Sequence, residues 1–433
     1  MARGAFVLVS VTSLQEHTNS LYAIETMISR TEFPYVQQLI INDAYAVKDL
    51  SISILEQDGE FKHLILTGGN GSGKTTILHA IWEIIKYTLS NSDSINRRLY
   101  NLRHWRDNGS AIDSAKKHFQ DEIDTLSRVT ILWSKENQST LLHGMIKSVI
   151  STFFTAHRKV QVNDVSTITR EDQLEIQMLQ SSNDKSPAEF FKQYLVNKKV
   201  FQMFDALEGK NSGAKQQEKF FSDLESTLAK IFNDPGTKLE FVRENFEFYI
   251  NLSDGRRFTF NQLSAGFSAF LSILTELLMR TDMLRKQAND YTYDPCGFVL
   301  IDEPETHLHL EMQYQILPLL TGLFPNLQFI VATHSPAVAS SITGATVFDL
   351  STGEVLGDQA AGSSFSELMQ THFGVENEYS NVADEIIADI KRIVEIPDHE
   401  QARQQLLKLL EEKGKYMSAG LRLEVEAQLI GLE

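Results

Sequence analysis

The run "HLILTGGNGSGKTTILHAIWEII" (63–85) constrains this chain more than any other stretch. A short apolar strand leads into glycines, and apolar residues then recur at Ile77, Leu78, Ile81, Ile84 and Ile85 with helical spacing. Between strand and helix lies "GGNGSGKT" (68–75), which fits G-x-x-x-x-G-K-[ST] through Gly68, Gly73, Lys74 and Thr75. Glycines let backbone N–H groups wrap an anion, and a helix N-terminus adds a favourable dipole. Gly68, Asn70, Gly71, Ser72, Gly73, Lys74, Thr75 and Thr76 are therefore the expected phosphate cradle. Lys74 reaches the β- and γ-phosphates, and the Thr75 hydroxyl is placed to bind Mg²⁺. A chance glycine-rich turn is the alternative, and the strand–loop–helix context argues against it.

A loop of this kind needs carboxylates opposite it. In "FVLIDEPE" (298–305) a buried hydrophobic strand ends in Asp302 and Glu303. Phosphoryl transfer requires mainly positioning and charge stabilisation, so one carboxylate for metal and one for water suffices. Asp302 is assigned to Mg²⁺ and Glu303 to the attacking water. Alone, such a strand is often just a strand meeting solvent; with the loop it becomes specific. A second strand, "FIVATHSP" (329–336), ends in His334, which can hydrogen-bond a γ-phosphate, although a lone strand-end histidine is more often structural. Finally, "LSAGF" (263–267) opens an apolar helix with Ser264 and Gly266 at its mouth. Read locally, this is an N-capped helix. A hydroxyl donor beside free N–H groups also suits an anion.

The order phosphate loop, "LSAGF", strand-Asp-Glu, strand-His resembles the ABC-type ATPases. That resemblance implies that Ser264 and Gly266 contact the γ-phosphate of ATP bound to a partner subunit, so that two ATP molecules are sandwiched in a head-to-tail homodimer. The segment "DEPETHLHLE" (302–311) is similar to the soluble ABC ATPases related to RecF, SMC and OLD proteins. It is closer still to the stand-alone ATPases of bacterial anti-phage systems such as Septu, retrons and PARIS. "LIINDAYAVKDLSISI" (39–54), "FFTAHRK" (153–159) and the helical tail share the likeness, which covers about residues 37–350. It implies ATP and Mg²⁺ as ligands and a separate effector, a nuclease or toxin, as partner. It also implies that Glu305 and His307 lie near the dimer seam and that Arg158 faces phosphate. Gln120 stands near the rough position of the family's Q-loop glutamine and is left unassigned. His307 and His309 form an H-x-H pair, for which a structural or seam role is favoured over metal binding.

The fold class expected is α/β: an ABC-type P-loop core with a helical insertion and a helical C-terminal tail. Residues 1–36 are an extension, 37–183 the first part of the core, 184–236 the insertion, 237–355 the second part and 356–433 the tail. Strands are expected at 37–55 (two, around a turn), 63–69, 128–134, 150–155, 238–260 (with a turn at "SDGR", 253–256), 297–301 and 328–333. Ser186, Pro187 and Glu189 read as a helix start. Phe220, Phe221, Leu224, Leu228, Ile231 and Phe232 share one helical face, and "EGKNSG" (208–213) reads as the loop of a hairpin. In the tail, Val382, Ile386, Ile390 and Ile393 mark one helix, and Ala402, Leu406, Leu409 and Leu410 another.

Charge narrows the partners. The formal net charge is −17, and an acidic chain is a poor default binder of nucleic acid. "RRLYNLRHWR" (97–106) is a local exception whose arginines and aromatics could grip a strand, but a solvated helix face or a contact to the acidic remainder is favoured. One cysteine, Cys296, excludes an intramolecular disulfide and suits a reducing compartment. "FVLVSV" (6–11) is too short for a signal peptide, and no apolar run approaches the ~18 residues of a membrane helix. A cytoplasmic ATPase that switches a separate effector is the favoured reading. A RecF- or SMC-like ATPase acting directly on DNA is the alternative. An OLD-type nuclease is disfavoured because no convincing acid cluster follows His334.

Overall fold

The computed structural model describes residues 27–44, 47–54, 61–91, 93–108, 113–135, 142–143, 145–158, 162–170, 173–174, 187–209, 211–356, 362, 368 and 381–431. "FVLVSV", most of the N-terminal extension and Ser186 lie outside them. The elements, in chain order, are β1 (Val36–Ala44), β2 (Val47–Ser53), β3 (His63–Thr67), α1 (Lys74–Ser90), α2 (Ile95–Asn108), α3 (Asp113–Ser127), β4 (Val129–Trp133) and β5 (Ile150–Phe154). They continue with α4 (Phe191–Leu207), α5 (Asn211–Ile231), β6 (Lys238–Val242), β7 (Glu247–Asn251), β8 (Arg257–Thr259), α6 (Ala265–Ala288), β9 (Gly297–Asp302) and α7 (Leu310–Leu323). Last come β10 (Leu327–Ala332), α8 (Pro336–Ala339), β11 (Ala345–Asp349), β12 (Glu354–Val355), α9 (Asn381–Val394), α10 (His399–Lys413) and α11 (Ala419–Gly431).

The chain divides into two compact units, 1–363 and 364–433. In the first, a six-stranded sheet runs β12-β11-β3-β10-β9-β5. All neighbours are parallel except the β12 edge. Strands of a parallel sheet covered on both faces read as continuous apolar runs. Accordingly β9, β10 and β11 are buried at every residue. The fold is the expected α/β class. A second sheet, β2-β1-β4, is antiparallel. It closes over α1, whose Ile77, Leu78, Ile81, Ile84 and Ile85 enter one core with Leu39, Ile41, Ile52, Leu66, Leu300 and Ile330. Gln328 of β10 joins the two sheets. Its side-chain carbonyl accepts from Val36 N–H (2.9 Å), and its amide donates to the carbonyls of Val36 and Lys62 (2.9 Å each).

The insertion is a helical hairpin of α4 and α5 backed by the antiparallel sheet β6-β7-β8, with "SDGR" turning between β7 and β8. Leu224, Leu228 and Ile231 are buried as their spacing implies. Two local readings differ from the structure. Residues 187–190 form a 3-10 turn rather than the first turn of α4. The loop read at 208–213 is shorter than expected: 208 and 209 turn, and α5 already starts at Asn211. Lys198 of α4 pairs with Asp282 of α6 at 2.6 Å, both nearly buried, and Tyr194 hydrogen-bonds the same carboxylate. The helix α6 is buried on most sides, mainly through apolar or small side chains, with the buried carboxylates of Glu276 and Asp282 paired to Arg280 and Lys198.

In the second unit α9, α10 and α11 surround their own core of Ile386, Ile390, Ile393, Ala402, Leu406, Leu409, Leu421 and Val425. Val382, read as part of that face, is 49% exposed. The helix α11 was not singled out by periodicity. Among the described residues no helix is long and apolar enough to cross a membrane. Cys296 is buried.

Candidate functional site

The phosphate loop follows β3, the Asp-Glu pair follows β9, and β10, ending before His334, lies between them. Parallel strands thus bring three distant segments to one carboxyl edge. Gly73 caps α1 in the left-handed region (φ 96°) and, having no side chain, leaves the first N–H groups of that helix without a side-chain cap of its own. Gly68 (φ 128°) leaves no room for a side chain, since a Cβ would lie 2.9 Å from Ser351 Oγ and 3.1 Å from Asp349 Oδ1. Ser351 Oγ accepts from Gly69 N–H at 2.8 Å, and Asp349 Oδ1 accepts from Ser351 N–H at 2.7 Å. This buttress beyond β11 was not read from the sequence. Asn70 and Gly71 form the exposed tip, Ser72 and Thr76 are half-buried, and Thr75 is exposed.

Lys74 is buried, and its Nζ donates to the carbonyls of Gly68 (2.8 Å) and Gly69 (3.0 Å) and approaches Ser72 Oγ (3.4 Å). Burial lowers its pKa, against the pull of Glu303, Asp302, Glu305 and Asp349. Thr75 Oγ1 donates to Asp302, 3.2 and 3.1 Å from its two oxygens. Burial raises the Asp302 pKa, and the Thr75 bond and nearby cations oppose it. A hydroxyl and a carboxylate in contact on a sheet edge are the hard-oxygen donors that Mg²⁺ prefers, so the residues fit that ion. Among the described residues no group of three or more His, Cys, Asp or Glu is arranged to hold a metal, and His307 and His309 are both exposed.

Glu303 occupies the left-handed region at φ 49°. Its carboxyl is pushed up to about 8, first by burial and then by Glu305 and Asp302. His334 Nε2 stands 3.3 Å from Glu303 Oε1, and burial followed by Lys74 lowers the imidazole pKa. Glu305 Oε1 accepts from His334 N–H at 2.7 Å, while among the described residues its Oε2 is buried without a hydrogen-bond partner. Arg158 corrects an expectation. Its guanidinium turns onto the main chain, donating to the carbonyls of Asp302 (3.0 Å) and Glu303 (2.8 Å). Gln120 accepts from Arg106 (2.6 Å) and donates to Asp124 (2.6 Å) in the pair α2 and α3. There Arg98 also grips Glu122 with two bonds (2.8 and 2.9 Å) and Arg97 pairs with Asp93 (3.5 Å), so Arg97, Arg98 and Arg106 of the basic patch serve internal contacts.

Ser264 is exposed and caps α6, its Oγ accepting weakly from Phe267 N–H at 3.5 Å. Among the described residues it makes no hydrogen bond to the phosphate loop. Gly266 is buried against the main chain of His307 and Leu308. The helix mouth and the segment after Glu305 are therefore one packed surface. His307 itself is exposed with φ 65°.

The family model described as "AAA domain, putative AbiEii toxin, Type IV TA system" matches residues 159–340. The "Retron Ec83 probable ATPase" of Escherichia coli is 38% identical over 93 residues, 22% of this chain and 17% of that protein. The "Septu protein PtuA" of Bacillus thuringiensis is 26% identical over 278 residues, 63% of this chain and 66% of that protein. The matched segments span less than two thirds of either relative's own length. Among solved structures, an SMC head bound to the C-winged helix domain of ScpA superposes with TM-score 0.36 at 16% identity, over 72% of this chain and 94% of that one. Over the segments stated, the chain is thus similar in sequence to Septu PtuA and to a retron ATPase.

Proposed function

We propose that this chain binds ATP with Mg²⁺ and hydrolyses it at composite sites between two copies arranged head to tail. It acts as a switch or scaffold for a separate effector, a nuclease or toxin, in anti-phage defence. The observation that carries the reading is the convergence of Lys74, Thr75, Asp302, Glu303 and His334 on one sheet edge, with Glu303 and His334 in contact at 3.3 Å. Lys74 exchanges its two glycine carbonyls for phosphate oxygens. Thr75 and Asp302 hold Mg²⁺, which would neutralise charge on the phosphates. Glu303, with a carboxyl pushed up to about 8, can accept a proton from water near neutral pH. His334 is held neutral by burial and orients that carboxylate. The exposed Ser264 and the free N–H groups of its helix complete the partner's site. Direct action on DNA is the weaker reading, because Arg98 and Arg106 are engaged within the α2 and α3 pair.

The test is the solution mass of Glu303→Gln by light scattering, with and without ATP and Mg²⁺. The expected result is tight ATP binding, lost turnover and a dimer that forms only with ATP. Undiminished hydrolysis in this variant overturns the role of Glu303, and a mass indifferent to ATP overturns the composite site.

A further inference from the structure

The guanidinium of Arg158 is an unusual use of a half-buried cation. Four residues beyond β5, the chain passes the end of β9, to which β5 is paired in parallel through Phe154 and Ile301. The side chain then spends its planar fork on two successive main-chain carbonyls, those of Asp302 and Glu303, at 3.0 and 2.8 Å. A planar fork fixes two acceptors in one geometry, which an ammonium cannot do. Burial pulls its pKa down to about 10, so it stays charged at neutral pH.

The carbonyls it holds bracket a backbone that would not choose its own conformation. Glu303 has φ 49°, rarely adopted by a residue with a side chain. It also precedes Pro304, which biases its neighbour toward extended backbone. Such a residue persists only when its surroundings over-determine it. Here Glu303 N–H donates to Ala332 (2.8 Å), and the Glu303 carbonyl accepts from Arg158, from Thr306 N–H (3.2 Å) and from Thr306 Oγ1 (2.9 Å). Arg158 alone among these donors ties the Asp302 and Glu303 carbonyls together. The turn so fixed is the one that points the Glu303 carboxylate to within 3.3 Å of His334.

We propose that Arg158 is a positioning residue for Glu303: its clamp on the carbonyls of Asp302 and Glu303 holds the left-handed turn that aims the carboxylate at its working place. This rests on the reading of Glu303 as the group that activates water. The residue acts through the main chain and does not touch phosphate.

The test uses Arg158→Met and Arg158→Lys in the full chain, with steady-state ATP hydrolysis, binding of a fluorescent ATP analogue and light scattering. A carboxylate misplaced by about 1 Å costs about ten- to a hundredfold in kcat. Arg158→Met is expected to show that loss while KM and analogue affinity stay within about twofold. It should also accumulate the ATP-dependent dimer, as Glu303→Gln does. Arg158→Lys, which reaches one carbonyl only, should fall between, and it carries the test if the Met variant does not fold. A raised KM and weakened binding with kcat kept would assign Arg158 to phosphate and overturn the proposal. So would a wild-type kcat in a folded variant. A wild-type chain without turnover overturns the reading of Glu303 itself, and the proposal with it.

Discussion

Gly266 offers a decisive perturbation, because its replacement by alanine has a computable collision. A Cβ at Gly266 would sit 2.3 Å from the His307 carbonyl oxygen, 2.9 Å from its carbon and 3.3 Å from Leu308 Cα. All three are main-chain atoms, so no flexible side chain can swing aside. Relieving the oxygen contact requires the α6 mouth and the 307–308 segment to part by about 1 Å. Overpacking of this size costs about 1–3 kcal/mol. At the usual unfolding entropy per residue, a cooperative unit as large as residues 1–363 should then melt about 1–4 °C lower. The assay is differential scanning fluorimetry beside ATP turnover. Gly322→Ala is the control, being exposed in α7 with nothing within 4 Å and ordinary φ. There alanine should stabilise by about 0.5–1 kcal/mol. Since Ser264 and the 307–308 segment share this surface, Gly266→Ala should also lose ATP-dependent dimerisation. A variant that melts and dimerises like wild type would refute the close approach and the role drawn from it.

Two further outcomes follow from buried charge. Because the Glu303 carboxyl is raised from 4.5 to about 8 in the fold, the folded chain holds that proton more tightly than the unfolded one. Its contribution is fully present below pH 4.5 and is lost as pH rises through about 8. A melting curve series should therefore show wild type losing stability relative to Glu303→Gln across that window, and parallel curves would contradict the shift. Lys198→Met leaves the Asp282 carboxylate buried without its cation and should cost about 3–5 kcal/mol in chemical denaturation. Adding Asp282→Leu should recover part of that loss; strict additivity would mean the pair is not coupled.

Much of the site was legible because its chemistry is contiguous. The phosphate loop needs its glycines, lysine and threonine in one run, and the Asp-Glu pair needs an apolar strand directly before it. The parallel sheet then brings those runs together, as the order of motifs implied. What was not legible depends on contacts between distant segments with no characteristic side-chain pattern. Ser351 meets Gly69 across 282 positions. Arg158 could be placed at a strand end from sequence, but its targets are carbonyls, which every residue carries. Its guanidinium turns to the main chain of 302–303, a target the sequence could not indicate. The extent of α5 was missed because Gly213 and its polar neighbours read as a loop, whereas the helix tolerates them. The helix α11 buries only Leu421 and Val425, too few apolar positions to raise a periodic signal above its surroundings.

The seam between the two sheets places an unusual demand on a single codon. Gln328 is fully buried, and its carboxamide faces Val36 as a neighbouring strand's peptide would, accepting one hydrogen bond and returning another while also reaching Lys62. Glutamate has the shape but brings no donor and an added charge. Methionine and leucine have comparable bulk but leave the buried Val36 N–H and two carbonyls without these partners. Asparagine has the chemistry and lacks a methylene of reach. A mutational scan should therefore find this interior position less permissive than the leucines and isoleucines around it, which can trade volume among themselves. The least replaceable side chain in the centre of this sheet is a polar one, and it works by imitating the backbone.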